Sequence, residues 1–171
     1  GHIDLYVVND QGPNYLYRNQ GDGTFEDQAL ISGVAFNGEG GMQGCMGVAR
    51  GDYDGDGRTD VFVTNFSHET NTLYRNAGVG AFTDASYRAR LGEQSYLLLG
   101  FGTGFLDYDS DGHLDLFVAN GHIFENVERG TDVLTYAQRN QLFHNDGDGG
   151  YSETAFHEHV GVSRGAIFGD Y

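Results

Sequence analysis

Asp60-Val-Phe-Val-Thr-Asn65 is apolar on both faces of an extended chain, and the sequence holds it three times. The other copies are Asp4-Leu-Tyr-Val-Val-Asn9 and Asp115-Leu-Phe-Val-Ala-Asn120, at intervals of about 55 residues. Short runs rich in β-branched and aromatic residues, bounded by Asn and Asp, predict strands. Apolar side chains on both faces require cover on both sides. A repeat of this length therefore predicts sheets stacked face to face.

The elements around each copy repeat as well. Asn14-Tyr-Leu-Tyr-Arg-Asn19, Asn71-Thr-Leu-Tyr-Arg-Asn76 and Asn140-Gln-Leu-Phe-His-Asn145 follow the three runs. Next come Thr24-Phe-Glu-Asp27, Ala81-Phe-Thr-Asp84 and Gly150-Tyr-Ser-Glu153. A fourth element carries a glycine five residues before an aspartate, as in Gly47 and Asp52, Gly102 and Asp107, or Gly165 and Asp170. The turns Asn19-Gln-Gly-Asp-Gly23 and Asn145-Asp-Gly-Asp-Gly149 read as hairpin loops. Helical spacing is hard to find. The expectation is all-β: a β-propeller of four-stranded antiparallel blades, with a solenoid of β-hairpins as the competing architecture. On this reading residues 1–46 are strands two to four of one blade plus a linker, and 47–100 and 101–163 are complete blades. Residues 164–171 are the first strand of the next. About three blades cannot close a ring, so the chain reads as an internal portion of a longer protein. Residues 121–139 are an insertion in the third repeat and a candidate for contacts with a partner.

Composition narrows the function classes. The 28 glycines against one proline suit many tight turns rather than a disordered tail. With 25 acidic residues, nine basic ones and a formal charge of −16, nucleic acid and anionic membrane are poor partners. Cys45 is the only cysteine, which excludes a disulfide framework and a CxxC metal knuckle. No apolar stretch is long enough to span a bilayer.

Two nine-residue stretches concentrate the acid: Asp52-Tyr-Asp-Gly-Asp-Gly-Arg-Thr-Asp60 and Asp107-Tyr-Asp-Ser-Asp-Gly-His-Leu-Asp115. Carboxylates at alternate positions of a tight loop can converge on one hard cation, and the glycine at position six allows the turn. Like charges about 4 Å apart cost about 4 kcal/mol at an effective dielectric of about 20, so such a cluster favours a counter-ion. The expected Ca²⁺ ligands are Asp52, Asp54, Asp56 and Asp60 with the carbonyl of Arg58. In the second loop they are Asp107, Asp109, Asp111 and Asp115 with the carbonyl of His113. Asp4 and Asp170 are expected in two partial sites. An EF-hand is excluded, because its twelfth position needs a bidentate Glu and here holds Val63 or Val118. Mg²⁺ suits such a cage less well, and Zn²⁺ calls for His or Cys.

These motifs together resemble the FG-GAP or VCBS-type repeat. The closer likeness is to the ASPIC/UnbV (cartilage acidic protein-like) group, carried by Gly51-Asp-Tyr-Asp-Gly-Asp-Gly57, Ala119-Asn-Gly-His-Ile123 and Gln138-Arg-Asn-Gln-Leu-Phe-His-Asn145. The resemblance implies a roughly seven-bladed propeller with calcium between first and second strands, and a secreted or cell-envelope location. It leaves open adhesion, assembly or carbohydrate binding, with an extracellular protein or glycan, self-association or a larger surface assembly as partner. A polysaccharide lyase or hydrolase using His122 is the enzymatic alternative. His157 with His159 is a weaker metal candidate. Gly100-Phe-Gly-Thr-Gly104 leads into a strand rather than a helix, so it is not read as a phosphate loop. Asn65-Phe-Ser67 matches a glycosylation acceptor.

Overall fold

The computed structural model describes residues 2–130, 133–155 and 159–169. His157 and Asp170 lie outside these residues. Among the described residues, fourteen strands in chain order are β1 (Leu5–Val7), β2 (Asp10–Gly12), β3 (Tyr15–Asn19), β4 (Phe25–Asp27), β5 (Gln43–Gly51), β6 (Asp60–Asn65), β7 (Thr72–Gly78), β8 (Ala81–Asp84), β9 (Gly100–Leu106), β10 (Asp115–Asn120), β11 (Gln138–Arg139), β12 (Gln141–Asn145), β13 (Tyr151–Thr154) and β14 (Val160–Gly161).

Two four-stranded antiparallel meanders stand out, β5-β6-β7-β8 and β9-β10-β12-β13; β2 adds to the edge of the first by pairing with β5. A three-stranded sheet of β1, β3 and β4 comes first in the chain, so the two meanders are the second and third sheets, and β11 pairs with β14. The chain is thus all-β and propeller-like, built from repeated antiparallel sheets. Its helices are single turns. Two of them, α1 (Ala29–Ser32) and α2 (Gly92–Ser95), follow outer strands. Four residues are too few to show a helical period. Their buried serine or alanine faces the sheet, and Ser95 Oγ accepts from the Asn71 amide at 2.8 Å.

The middle strand β6 shows why its sequence is apolar on both faces. Phe62 enters a cluster with Leu73, Leu116, Val118, Phe143 and Tyr151, which joins the second sheet to the third. Val63, one residue on, enters the opposite cluster with Ala29, Val34, Cys45 and Tyr74, against Tyr6 and Leu16 of the first sheet. Each buried side chain of this size contributes about 1.5–3 kcal/mol, so both faces of β6 hold neighbouring sheets together.

The inner strands approach closely. A Cβ on Gly47 would collide with the carbonyl of Phe101, and one on Gly102 would meet the Ala166 amide nitrogen at 2.6 Å. This is the reason for glycine at Gly47 and Gly102, whereas a Cβ on Gly165 would meet nothing within 4 Å. The chain after Gly161 runs beside β9: Gly102 N donates to Arg164 O at 3.0 Å, and Arg164 sits over the Phe101 ring. The Phe117–Phe168 edge contact, 5.8 Å between centroids, repeats Phe62–Phe105 at 6.5 Å.

Candidate metal centre

The acidic loops join β5 to β6 and β9 to β10. Their closing aspartates, Asp60 and Asp115, are the first residues of β6 and β10 and are fully buried. Each carboxylate accepts two backbone amides. Asp60 takes Tyr53 N at 3.1 Å and Asn76 N at 2.7 Å; Asp115 takes Tyr108 N at 3.0 Å and Asn145 N at 2.8 Å. Asp4 accepts Asn19 N at 2.8 Å in the same way. The asparagines answer with their side chains: Asn19 Nδ2 donates to Ile3 O at 3.2 Å, Asn76 to Thr59 O at 3.0 Å, and Asn145 to Leu114 O at 3.1 Å. The ninth aspartate of the motif is therefore a pin between second and third strands in all three repeats. Burial pushes the Asp60 carboxyl upward, the two amide donors pull it down, and the Asp54 and Asp56 charges add to the rise.

The opening aspartates hold the turn. Asp52 accepts Asp56 N at 3.0 Å and Gly57 N at 2.8 Å; Asp107 accepts Asp111 N at 3.1 Å and Gly112 N at 3.0 Å. Gly57 and Gly112 have φ of 83° and 89°, the left-handed turn expected at position six. Position four is left-handed too, with Gly55 at 70° and Ser110 at 63°. In the first loop Asp52, Asp54 and Asp56 each offer an oxygen within 4.8 Å of the others. In the second, two sets meet that spacing: Asp107 with Asp109 and Asp115, and Asp109 with Asp111 and His144. Asp60 stands outside the converging set of its loop, and Asp111 joins a different set from Asp107. The backbone nitrogens of Arg58 and His113 donate to Asp56 at 3.0 Å and to Asp111 at 2.8 Å.

Sequence reasoning missed the basic side chains that face the loops from the third strand. The register Val61↔Tyr74 and Leu116↔Phe143, carried one step further, sets Arg75 across from Asp60 and His144 across from Asp115. Arg75 Nε donates to Asp54 at 2.5 Å and its Nη2 to Asp56 at 2.8 Å, while Arg58 pairs with Asp56 and donates to Asn76 O at 2.9 Å. His144 Nδ1 lies 3.2 Å from Asp109 and 3.4 Å from Asp115. The signal available in sequence was the fifth residue of the Asn-x-Leu-Tyr-Arg-Asn run.

The donor set fits a hard divalent cation. It is rich in carboxylate oxygen, and Asp54 Oδ1 is buried without a hydrogen-bond partner.

Other singled-out residues take structural places. His122 is 2% exposed, lies between Phe66 and Phe124, and accepts the Phe124 amide on Nδ1 at 3.1 Å. Asn65 is fully buried, and its Nδ2 donates to Thr70 O at 2.8 Å and Thr72 Oγ1 at 3.3 Å, so the folded chain does not present it for glycosylation. Residues 100–104 lie within β9. The insertion is tied down by Arg164, which donates to Gly121 O at 2.9 Å and His122 O at 3.0 Å.

A family model described as FG-GAP-like repeat matches residues 1–63 and 52–118. Among curated proteins, cartilage acidic protein 1 of Homo sapiens is 31% identical over 120 residues, covering 68% of this chain. The Xenopus tropicalis protein of that name is 30% identical over the same share, and the Mus musculus one 39% over 64 residues, or 37% of this chain. The chain spans 17% of the length of the human and frog proteins and 9% of the mouse protein. Among the described residues no helix is long and apolar enough to cross a membrane. The chain belongs to the FG-GAP-like repeat family.

Proposed function

We propose that this chain is a calcium-stabilised extracellular β-propeller module that serves as a scaffold for adhesion or for binding a protein or glycan. The observation that carries the reading is the convergence of carboxylates in both loops, with a buried Asp54 oxygen left without a donor. Asp52, Asp54 and Asp56 would hold one ion, and Asp107, Asp109, Asp111 and Asp115 the other, with the Arg58 and His113 carbonyls and Asp60 completing the shells. The bound ion supplies charge neutralisation. The protein's own amides do the rest, holding the turn on Asp52 and Asp107 and the strands on Asp60 and Asp115. Extracellular modules bind calcium at about 10⁻⁴–10⁻³ M, which would fill such sites only outside the cytosol. The relatives are named as acidic proteins of cartilage, and the −16 charge of this chain is in keeping with that name. A scaffold reading also suits His122, which is packed between two aromatic rings.

Thermal melts in EGTA and in about 10 mM CaCl₂ test this. At about 10–100 times Kd, mass action adds about 1.4–2.7 kcal/mol. That raises Tm by about 3–10 °C for a domain of this size. Asp54→Ala and Asp109→Ala should each remove part of the rise. Identical melting curves with and without calcium would overturn the proposal.

A further inference from the structure

We infer that the two acidic loops are not equivalent cation sites: arginine already offsets half the charge of the first, and the second depends on an ion. This rests on the cation binding proposed above. The loops are alike in turn and in amide donors, and they differ in their basic neighbours at two matched positions. Arg75 and Arg58 serve the first loop, and His144 and His113 stand in their places in the second. Arg75 bridges Asp54 and Asp56 at 2.5 and 2.8 Å, and Arg58 adds a second guanidinium on Asp56. A guanidinium is always charged, and its fork matches carboxylate oxygens. Two guanidiniums offset half the charge of the first loop's four carboxylates, so its need of a cation is smaller than that of the second loop. An incoming ion meets positive charge already seated on two of its three converging ligands.

Among the described residues no arginine is paired with the second loop. His144 Nδ1, buried and without a hydrogen-bond partner, faces Asp109 and Asp115. It also lies at ligand spacing from Asp109 and Asp111, but a hard cation takes oxygen, so its part is to leave those carboxylates unclaimed by a guanidinium. The second loop therefore fills first, and the ion completes its structure.

Terbium(III) is a suitable probe, because its luminescence is sensitised by nearby tyrosine. Tyr53 and Tyr108 are each the second residue of a loop, and the chain has no tryptophan. Titrations with terbium and competition by Ca²⁺ at about pH 8, where an ordinary imidazole is neutral, should show one tight phase. Asp109→Asn should abolish it and Asp54→Asn should leave it. Arg75→Gln should tighten the first loop at least tenfold, and His144→Arg should weaken the second at least tenfold. Hydrogen exchange on the unmodified protein gives a readout free of any variant's folding. Amides of residues 52–60 should be protected in EGTA, and those of 107–115 should gain protection only when Ca²⁺ is added. Two phases of equal affinity, equal amide protection in EGTA, or an Arg75→Gln variant that binds like the parent would overturn this inference while leaving cation binding intact. Absence of any binding phase up to about 10 mM Ca²⁺ would overturn both.

Discussion

Replacing Asn145 by alanine tests how one asparagine ties two repeats together. Its Nδ2 donates to Leu114 O within its own sheet at 3.1 Å and to Tyr53 O of the preceding repeat at 2.8 Å. Both Asn145 and Tyr53 are buried. The Tyr53 carbonyl would lose this donor away from water, at about 1–3 kcal/mol. The Leu114 carbonyl keeps the Tyr151 hydroxyl at 2.9 Å, so its loss is about 0.5–1.5 kcal/mol. The sum is about 1.5–4.5 kcal/mol. Asn76 is the matched control, since its Nδ2 reaches Thr59 O alone in a partly exposed place, and Asn76→Ala should cost about 0.5–1.5 kcal/mol. Asn145→Asp keeps the shape but sets a carboxylate against two carbonyls beside buried Asp115, and should be at least as damaging as alanine. Urea unfolding followed by circular dichroism, at one fixed calcium concentration, reads these differences as midpoint shifts at constant slope. If Asn145→Ala and Asn76→Ala fell within about 0.5 kcal/mol of each other, the reasoning about the inter-repeat bond would be wrong.

Four further outcomes follow from the same geometry. Asp60→Asn turns an amide NH₂ toward one of two backbone donors in a buried site and should cost about 1–3 kcal/mol in EGTA, whereas Asp54→Asn should cost less; urea midpoints in chelator compare them. Ser110→Gly relieves a left-handed φ at 63° and should add about 0.5–1 kcal/mol after the entropy of glycine is charged, measured by the same unfolding curve. Cys45 is buried, and burial pushes its thiol up to about 11, so a disulfide reagent at neutral pH should label it only on unfolding; rapid labelling of the native chain would contradict this. Burial, and then the Arg164 charge, hold His122 below the ordinary imidazole value. The unfolded chain then takes the proton more readily, so this contribution is whole above about pH 6.5 and declines as pH falls through that value toward the folded pKa. His122→Gln should flatten that part of the stability–pH curve.

Legibility in the sequence followed the range of the interaction. Strands such as Asp60–Asn65 and Asp115–Asn120, and turns such as residues 145–149, are written in local patterns. Stacked sheets cover Phe62 on one face and Val63 on the other. The loops were readable because four aspartates in nine residues need a reason. Arg75 and His144 were not, because strand register alone sets them beside carboxylates some twenty or thirty residues away. Ser110 occupies a glycine's conformation without a glycine's signature. The first strand of the second sheet starts at Gln43, ahead of the Gly47 that marks its pattern, because Gln43 and Gly44 pair with β2, a strand of three residues that no periodicity reveals. The turn of α1 escaped notice for the same reason of length.

The nine-residue loop combines two jobs that different atoms perform. Positions one and nine spend their oxygens on backbone amides, and those bonds shape the turn and fasten the second strand to the third. Positions three and five carry the remaining carboxylates, and at Asp54 one oxygen is left over. Whatever neutralises positions three and five can therefore vary without unmaking the sheet. In the first loop the structure places arginine there; in the second it places histidine. Asp4 and Asn19 show the same fastening in the first sheet. On the cation binding proposed above, a repeat built this way would gain or lose dependence on an ion through a substitution on the neighbouring strand. The strand pairing that makes it a repeat is secured by separate hydrogen bonds.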